Sequence, residues 1–288
     1  MEAYISAIIL GLCLSSMALG IFMSMKIFNI PDITTDGSYT LGAVVSAVML
    51  TQHIPIYIII PTVILCGAMA GICTAIIHTR FKIDALLAGI LVMTALYSIN
   101  LTIMGRSNLP LIDTKNIFSS LHILSNSNYN SLIIVTIIIA VITTIIAYLL
   151  KTDFGIAMRA TGNNSAMVRA LGVSDNKMKI FGLAISNALT AFAGFLITQN
   201  QFYADINMGI GIVITGLGSV LIADALKSVF KVTSLSKQLL LVIAGSIIFQ
   251  LVLAVTLAIG VNPNLLKLTT ALFVLVIVVV TKIKSSKS

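Results

Sequence analysis

Three histidines, three cysteines and nine carboxylates are the groups with which this 288-residue chain could do covalent or metal chemistry. His53, His78 and His122 stand far apart in sequence. Cys13, Cys66 and Cys73 each lie inside an apolar run without CxxC spacing, which gives neither a disulfide framework nor a metal site. No carboxylate pair, activated nucleophile or triad spacing supports an active site. There is also no GxxxxGK[ST] phosphate loop, nor a single Gly-Lys pair. The residues therefore read as those of a protein that is not an enzyme, with no catalytic group, no metal and no cofactor of its own.

The polar residues that could act without covalent chemistry form two groups. One is the segment "DFGIAMRATGNNSAMVRALGVSDNKMK", Asp153 to Lys179, a basic insert between apolar runs. The other is scattered through or beside those runs: Asp32 and Asp36 with Thr34, Thr35 and Ser38, then Asn100, Asn187, Gln199 and Asn200. Hydrogen bonding between helices is the ordinary role of such groups in a membrane. A passage for a polar solute nevertheless needs some of them, and Asp36, Asn187, Gln199 and Asn200 are the candidates for it. Capping of the following helix is the simpler role for Asp36 or Thr35 taken alone. Asp205 falls in a loop where a partner could dock, and Asp224 can pair with Lys227, three residues on.

The elements that must position these groups follow from composition. The chain is 58% hydrophobic and 9% charged with a mean hydropathy of +1.11, where soluble domains carry about 25% charged residues. That excludes a soluble domain. Apolar runs able to cross a bilayer occur at residues 3–25, 37–52, 54–78, 84–104, 131–150, 178–198, 207–226, 238–259 and 265–281. The fold class is all-α: a polytopic integral membrane protein of about 8 to 10 transmembrane helices forming one domain over residues 1–288. The second run is short and follows "NIPDITTDGS", and the seventh carries Gly209, Gly211, Gly216 and Gly218, so both are candidates for broken or re-entrant helices. The first run begins with Glu2 instead of a basic cluster and is too long for a secretory leader, so a retained helix is expected. "GAMAG", residues 67–71, and "GLAISNALTAFAG" in the sixth run are small-residue faces suited to close packing within the subunit.

Lysines and arginines set the orientation. They gather at Arg80 and Lys82, from Lys151 to Lys179, at Lys227, Lys231 and Lys237, and at Lys282, Lys284 and Lys287. Under simple alternation these regions share one side, which the positive-inside rule assigns to the cytoplasm together with the carboxyl terminus. The net charge of +8 is then a topology signal, since no basic tract with interleaved aromatics supports nucleic-acid binding.

Within the loop of about residues 151–179, "NNSAMVRALGV" reads as a short helix with both ends specified. Asn164 or Ser165 can cap it, 166–171 form its body, and Gly172 suits the left-handed closing position. Two turns of helix have little stability alone, so packing must hold it. Ala160, Ala166 and Ala170 permit close approach, Met167 and Leu171 offer apolar contact, and Arg159 and Arg169 offer fixed hydrogen-bond donors. A docking element is the expectation; a solvated basic loop is the alternative.

"TDFGIAMRATGNNSAMVRALGVS" resembles the cytoplasmic coupling loop of ABC importer permeases of the branched-chain amino acid and ribose type, with Gly155, Arg159, Ala160, Asn163, Ala166, Ala170 and Gly172 at matching places. "IFNIPDITTDGSYTLGA" and "YADINMGIGIVITGLGSVLIADAL" resemble the same family, and the combination looks most like its tryptophan or tyrosine transport branch. The resemblance implies a permease homodimer in the bacterial cytoplasmic membrane. It also implies separate ATPase subunits using ATP and Mg, and an extracytoplasmic substrate-binding protein or lipoprotein. Coupling contacts are then expected at Gly155 to Gly172, with Arg159 and Arg169 foremost. The solute is expected to be small and polar, an amino acid and plausibly an aromatic one. An ion-driven secondary transporter or channel would need ionisable groups within the spans, which this chain almost lacks. A membrane scaffold subunit is the third reading.

Overall fold

A backbone in hydrocarbon must satisfy its own polar groups, so apolar runs of this length become helices. The computed structural model describes residues 2–111, 114, 117–120, 126–262 and 265–285; His122 and Lys287 lie outside the described residues. Helix α1 (Glu2–Phe22) continues through a π-helical turn, Met23–Ile27, and is followed by α2 (Thr34–Thr51), α3 (Ile56–Arg80) and α4 (Ala85–Met104). Then come β1 (Asn108–Pro110), α5 (Ile117–Ser120), α6 (Ser127–Lys151), α7 (Asp153–Asn163), α8 (Ser165–Ala170) and α9 (Asp175–Gln201). Strand β2 (Tyr203–Asp205), α10 (Ile212–Phe230), α11 (Leu235–Ala258) and α12 (Leu266–Ser285) complete the chain. The all-α class holds, with one addition: β1 and β2 form a small antiparallel ribbon pairing Asn108 with Asp205 and Pro110 with Tyr203.

The helices form a centre and a periphery. In the most apolar window of α1 and of α9, 78% of residues are buried, against 28–33% in α3, α4, α6, α10 and α11. Helix α2 is buried along most of its length. The central helices carry small residues, and small residues let backbones approach without a hydrophobic driving force. Gly67 and Gly71 of α3 press on the α9 backbone at Asn187, Ala188 and Leu183, so the "GAMAG" face is spent inside the subunit.

The irregular backbone lies in front of the two suspect helices, and α2 and α10 are themselves continuous. Helix α2 begins at Thr34, three residues earlier than the apolar run suggested, because Asp32 supplies an acceptor for its first amide. Helix α10 begins only at Ile212, after turns at 206–211 that take up the start of the seventh run. The linker from Phe28 to Ile33 is non-helical, and Phe28, Ile30 and Asp32 within it are buried, as backbone of this kind requires in a membrane.

Candidate functional site

At one end of the bundle, α7 and α8 form an elbow, of which the short helix α8 was anticipated from sequence and α7 was not. The Thr152 hydroxyl accepts the Gly155 amide at 3.3 Å to start α7. The Asn164 side chain accepts the Met167 amide at 3.0 Å to start α8, choosing Asn164 over Ser165 as the cap. Gly172 has φ +81°, and the Val173 amide reaches back to the Val168 carbonyl at 3.2 Å. This is a left-handed helix stop. Helix α8 buries Val168 and exposes Ala166, Met167, Arg169 and Ala170, with Leu171 beyond them.

The elbow is fixed to the bundle at two points. A Cβ on Gly162 would run into the Ile27 carbonyl, so α7 sits directly on the end of the first helix. Arg169 donates to Asp175 at 2.8 Å, and Lys179 stands 3.6 Å from the same carboxylate, tying α8 to the start of α9. His78, Lys82 and Asp84 face Arg169, Asp175 and Lys179 across an open cleft. The basic ends of α3, α8 and α9 therefore lie together. Lys26 and Asp224, 2.6 Å apart, bring the ends of α1 and α10 into contact with each other. Asp224 is thus paired with a distant lysine and not with Lys227: the end of the first helix lies closer than the next turn's side chain.

The second group of polar residues, Gln199 and Asn200 excepted, converges on the start of α2. Asp32 Oδ1 accepts the Thr34 amide at 2.9 Å, and Oδ2 accepts Asn187 Nδ2 at 2.7 Å. Asn187 also donates to the Leu183 carbonyl at 3.0 Å and accepts from the Ser38 hydroxyl at 2.6 Å. Thr34 and Thr74 share a hydroxyl contact of 2.7 Å. Asp36 does not cap its own helix. Its carboxylate accepts the Gly211 amide at 2.8 Å and the Val213 amide at 2.9 Å, closing the amino end of α10. A helix amino end carries free donors and a positive dipole, which suits a carboxylate there.

The sequence-predicted pathway residues thus separate. Asp36 and Asn187 belong to this buried cluster, with Asn187 fully buried and its amide spent on protein partners. Gln199 lies at the far end of α9, where its carbonyl accepts the Ile117 amide at 3.0 Å, and Asn200 follows half-buried. Of the coupling candidates, Gly155 is buried, Arg159 and Ala160 are half-buried, and Asn163, Ala166, Arg169, Ala170 and Gly172 are exposed. The buried Arg159 Nε has no hydrogen-bond partner among the described residues. Asp205 is not a free loop carboxylate: it sits on β2, accepting from Asn108 at 3.2 Å and from the Asn207 amide at 2.8 Å. Sequence reasoning missed the Lys26–Asp224 pair and the contact of Asn100 Nδ2 with the Gly37 carbonyl at 3.3 Å, since neither has a local signature.

Nine long helices among the described residues, a buried polar centre and a capped elbow at the basic end are the features of a polytopic membrane protein. The chain belongs to the family of branched-chain amino acid transport system permease components, whose model matches residues 3–281. It is 38% identical over 275 residues to the tyrosine transport system permease protein of Clostridioides difficile, covering 96% of this chain and 90% of that one. It is 27% identical to the ribose import permease protein RbsC of Haemophilus influenzae over 66% of this chain and 59% of that one. Its fold is similar to that of PsaBC from Streptococcus pneumoniae solved in complex with Fab, with a TM-score of 0.53 at 17% identity over 96% of this chain and 89% of that one. It is accordingly a multi-pass membrane protein and a permease component of the ABC importer type, a class that works with an ATPase and a substrate-binding partner.

Proposed function

We propose that this chain carries an amino acid, specifically an aromatic one, inward across the cytoplasmic membrane, driven by a separate ATPase that docks on α8. The observation that carries the reading is α8 itself. It is a helix of only six residues, capped at both ends, anchored by Val168 and presenting Met167, Arg169 and Leu171 outward. So short a helix gains little from its own hydrogen bonds, and these caps and anchors hold it in a shape that a partner can grip.

The connections of α8 suit it to transmit movement. Four residues separate it from α9, and α9 holds the start of α2 through Asn187 and Asp32. Closure of an ATPase pair on ATP, with its Mg, would push α8 and thereby shift α9 and α2 between two packings that open to opposite sides. Under the positive-inside rule the basic end is cytoplasmic and carries the carboxyl terminus, and the β1–β2 ribbon faces the binding protein. Two copies of the chain would flank the path, in keeping with the family. The tyrosine system of the Clostridioides difficile relative supports the choice of cargo.

The test is co-reconstitution with a candidate ATPase and binding protein in proteoliposomes. ATP-dependent uptake of labelled tyrosine is expected, and absence of both complex formation and substrate-stimulated hydrolysis would overturn the reading. Met167→Asp with Leu171→Asp should abolish ATPase co-purification while the permease remains folded. Arg159→Glu with Arg169→Glu should leave hydrolysis running without uptake.

A further inference from the structure

Between α2, α4 and the turns before α10 lies a small pocket with one wall of Asp36, Gly37, Thr40 and Asn100, the rest being formed by Gly209 and the apolar Met93, Tyr97, Ile206 and Ile210. Its volume of about 30 Å³ admits roughly two water-sized species, each needing about 10–15 Å³. The donors of this wall are turned onto protein acceptors. Asn100 Nδ2 donates to the Gly37 carbonyl at 3.3 Å, and the Thr40 hydroxyl donates to the Asp36 carbonyl at 3.1 Å. The Gly211 and Val213 amides are spent on the Asp36 carboxylate.

What remains is acceptor valence. Asn100 is 1% exposed, and its Oδ1 has no donor among the described residues. Turning the amide over would set Oδ1 against the Gly37 carbonyl, so the contact with Gly37 fixes which way the oxygen faces. Asp36 is 5% exposed and has no cation within 4 Å among the described residues; Lys267 acts on it only through space. A buried carbonyl without a donor is costly, and a carboxylate held by backbone amides with its nearest lysine beyond contact distance still attracts positive charge, so a small cation in the pocket they line satisfies the first and is drawn by the second.

We infer that this pocket binds one small monovalent cation, either a free inorganic ion or the ammonium head of a bound amino acid. The inorganic case stands on the geometry alone. The ammonium case rests on the amino acid transport reading, whose own failure would show separately as absent uptake in proteoliposomes.

The test is the thermal unfolding midpoint of the purified full-length permease in choline chloride, replaced stepwise by sodium, potassium or ammonium chloride at constant ionic strength. Tyrosine and N-acetyltyrosine are then added in separate runs. A saturating rise of roughly 3–5 °C at tenfold excess over Kd is expected with a small cation, or with tyrosine and not its acetylated form. The rise should vanish in Asn100→Leu and shrink in Asp36→Asn, which keeps the shape and one acceptor for the α10 amides while removing the charge should the leucine variant fail to fold. A midpoint indifferent to every addition would mean water only. That result, an equal rise with both forms of tyrosine and none with the ions, or an unchanged rise in Asp36→Asn would overturn the assignment.

Discussion

Asp32 and Asn187, 155 residues apart in sequence, meet at 2.7 Å in the interior, where a carboxylate on the linker before α2 takes the side-chain amide of the central helix α9. The contact leaves neither partner free, since Asn187 also takes the Ser38 hydroxyl. Replacing Asn187 by Leu would strand Asp32 Oδ2 and the Ser38 hydroxyl in a dry environment. We expect a loss of about 2–4 kcal/mol, read as a lower unfolding midpoint. The exchanged pair, Asp32→Asn with Asn187→Asp, should recover most of that loss, because it keeps one carboxylate facing one amide.

Asp36 makes a different prediction, because its partners are the backbone amides of Gly211 and Val213. Asp36→Ala should cost about 2–3 kcal/mol through loss of two charge-assisted bonds at a helix amino end. Asp36→Asn should cost about half as much, since one acceptor oxygen remains. Hydrogen exchange at the two amides is the direct check: both should exchange faster in the alanine variant, and little should change in α3.

Gly162 tests how rigidly the elbow is joined to the bundle. The Ile27 carbonyl occupies the place of its missing side chain, and a backbone group cannot rotate away. Gly162→Val should therefore destabilise by about 1–3 kcal/mol, as overpacking does, and should impair coupled transport more than it impairs ATPase binding. Measuring co-purification and uptake on the same preparation separates the two effects.

The ion pair between Lys26 and Asp224 should matter little. The two side chains are 43% and 32% exposed, and pairs so wetted contribute about 0–1 kcal/mol. Lys26→Ala should shift the unfolding midpoint by less than about 3 °C. Any larger change would mean that the ends of α1 and α10 depend on this contact to stay together.

What could be read from the residues alone was what depends on neighbours in the chain. The runs crossing the membrane follow from apolar length, and α8 follows from Asn164, Gly172 and the few residues between them, because caps act over one turn. The family was legible for the same reason: its motifs are continuous stretches. The roles of Asp36, Asp224 and Asn100 were decided only by tertiary structure. Asp36 looked like the cap of its own helix and caps α10 instead; Asp224 looked like a partner for Lys227 and takes Lys26. A carboxylate bonds to whichever donor the packing brings nearest, and helices whose ends are far apart in sequence can present donors that no local pattern records.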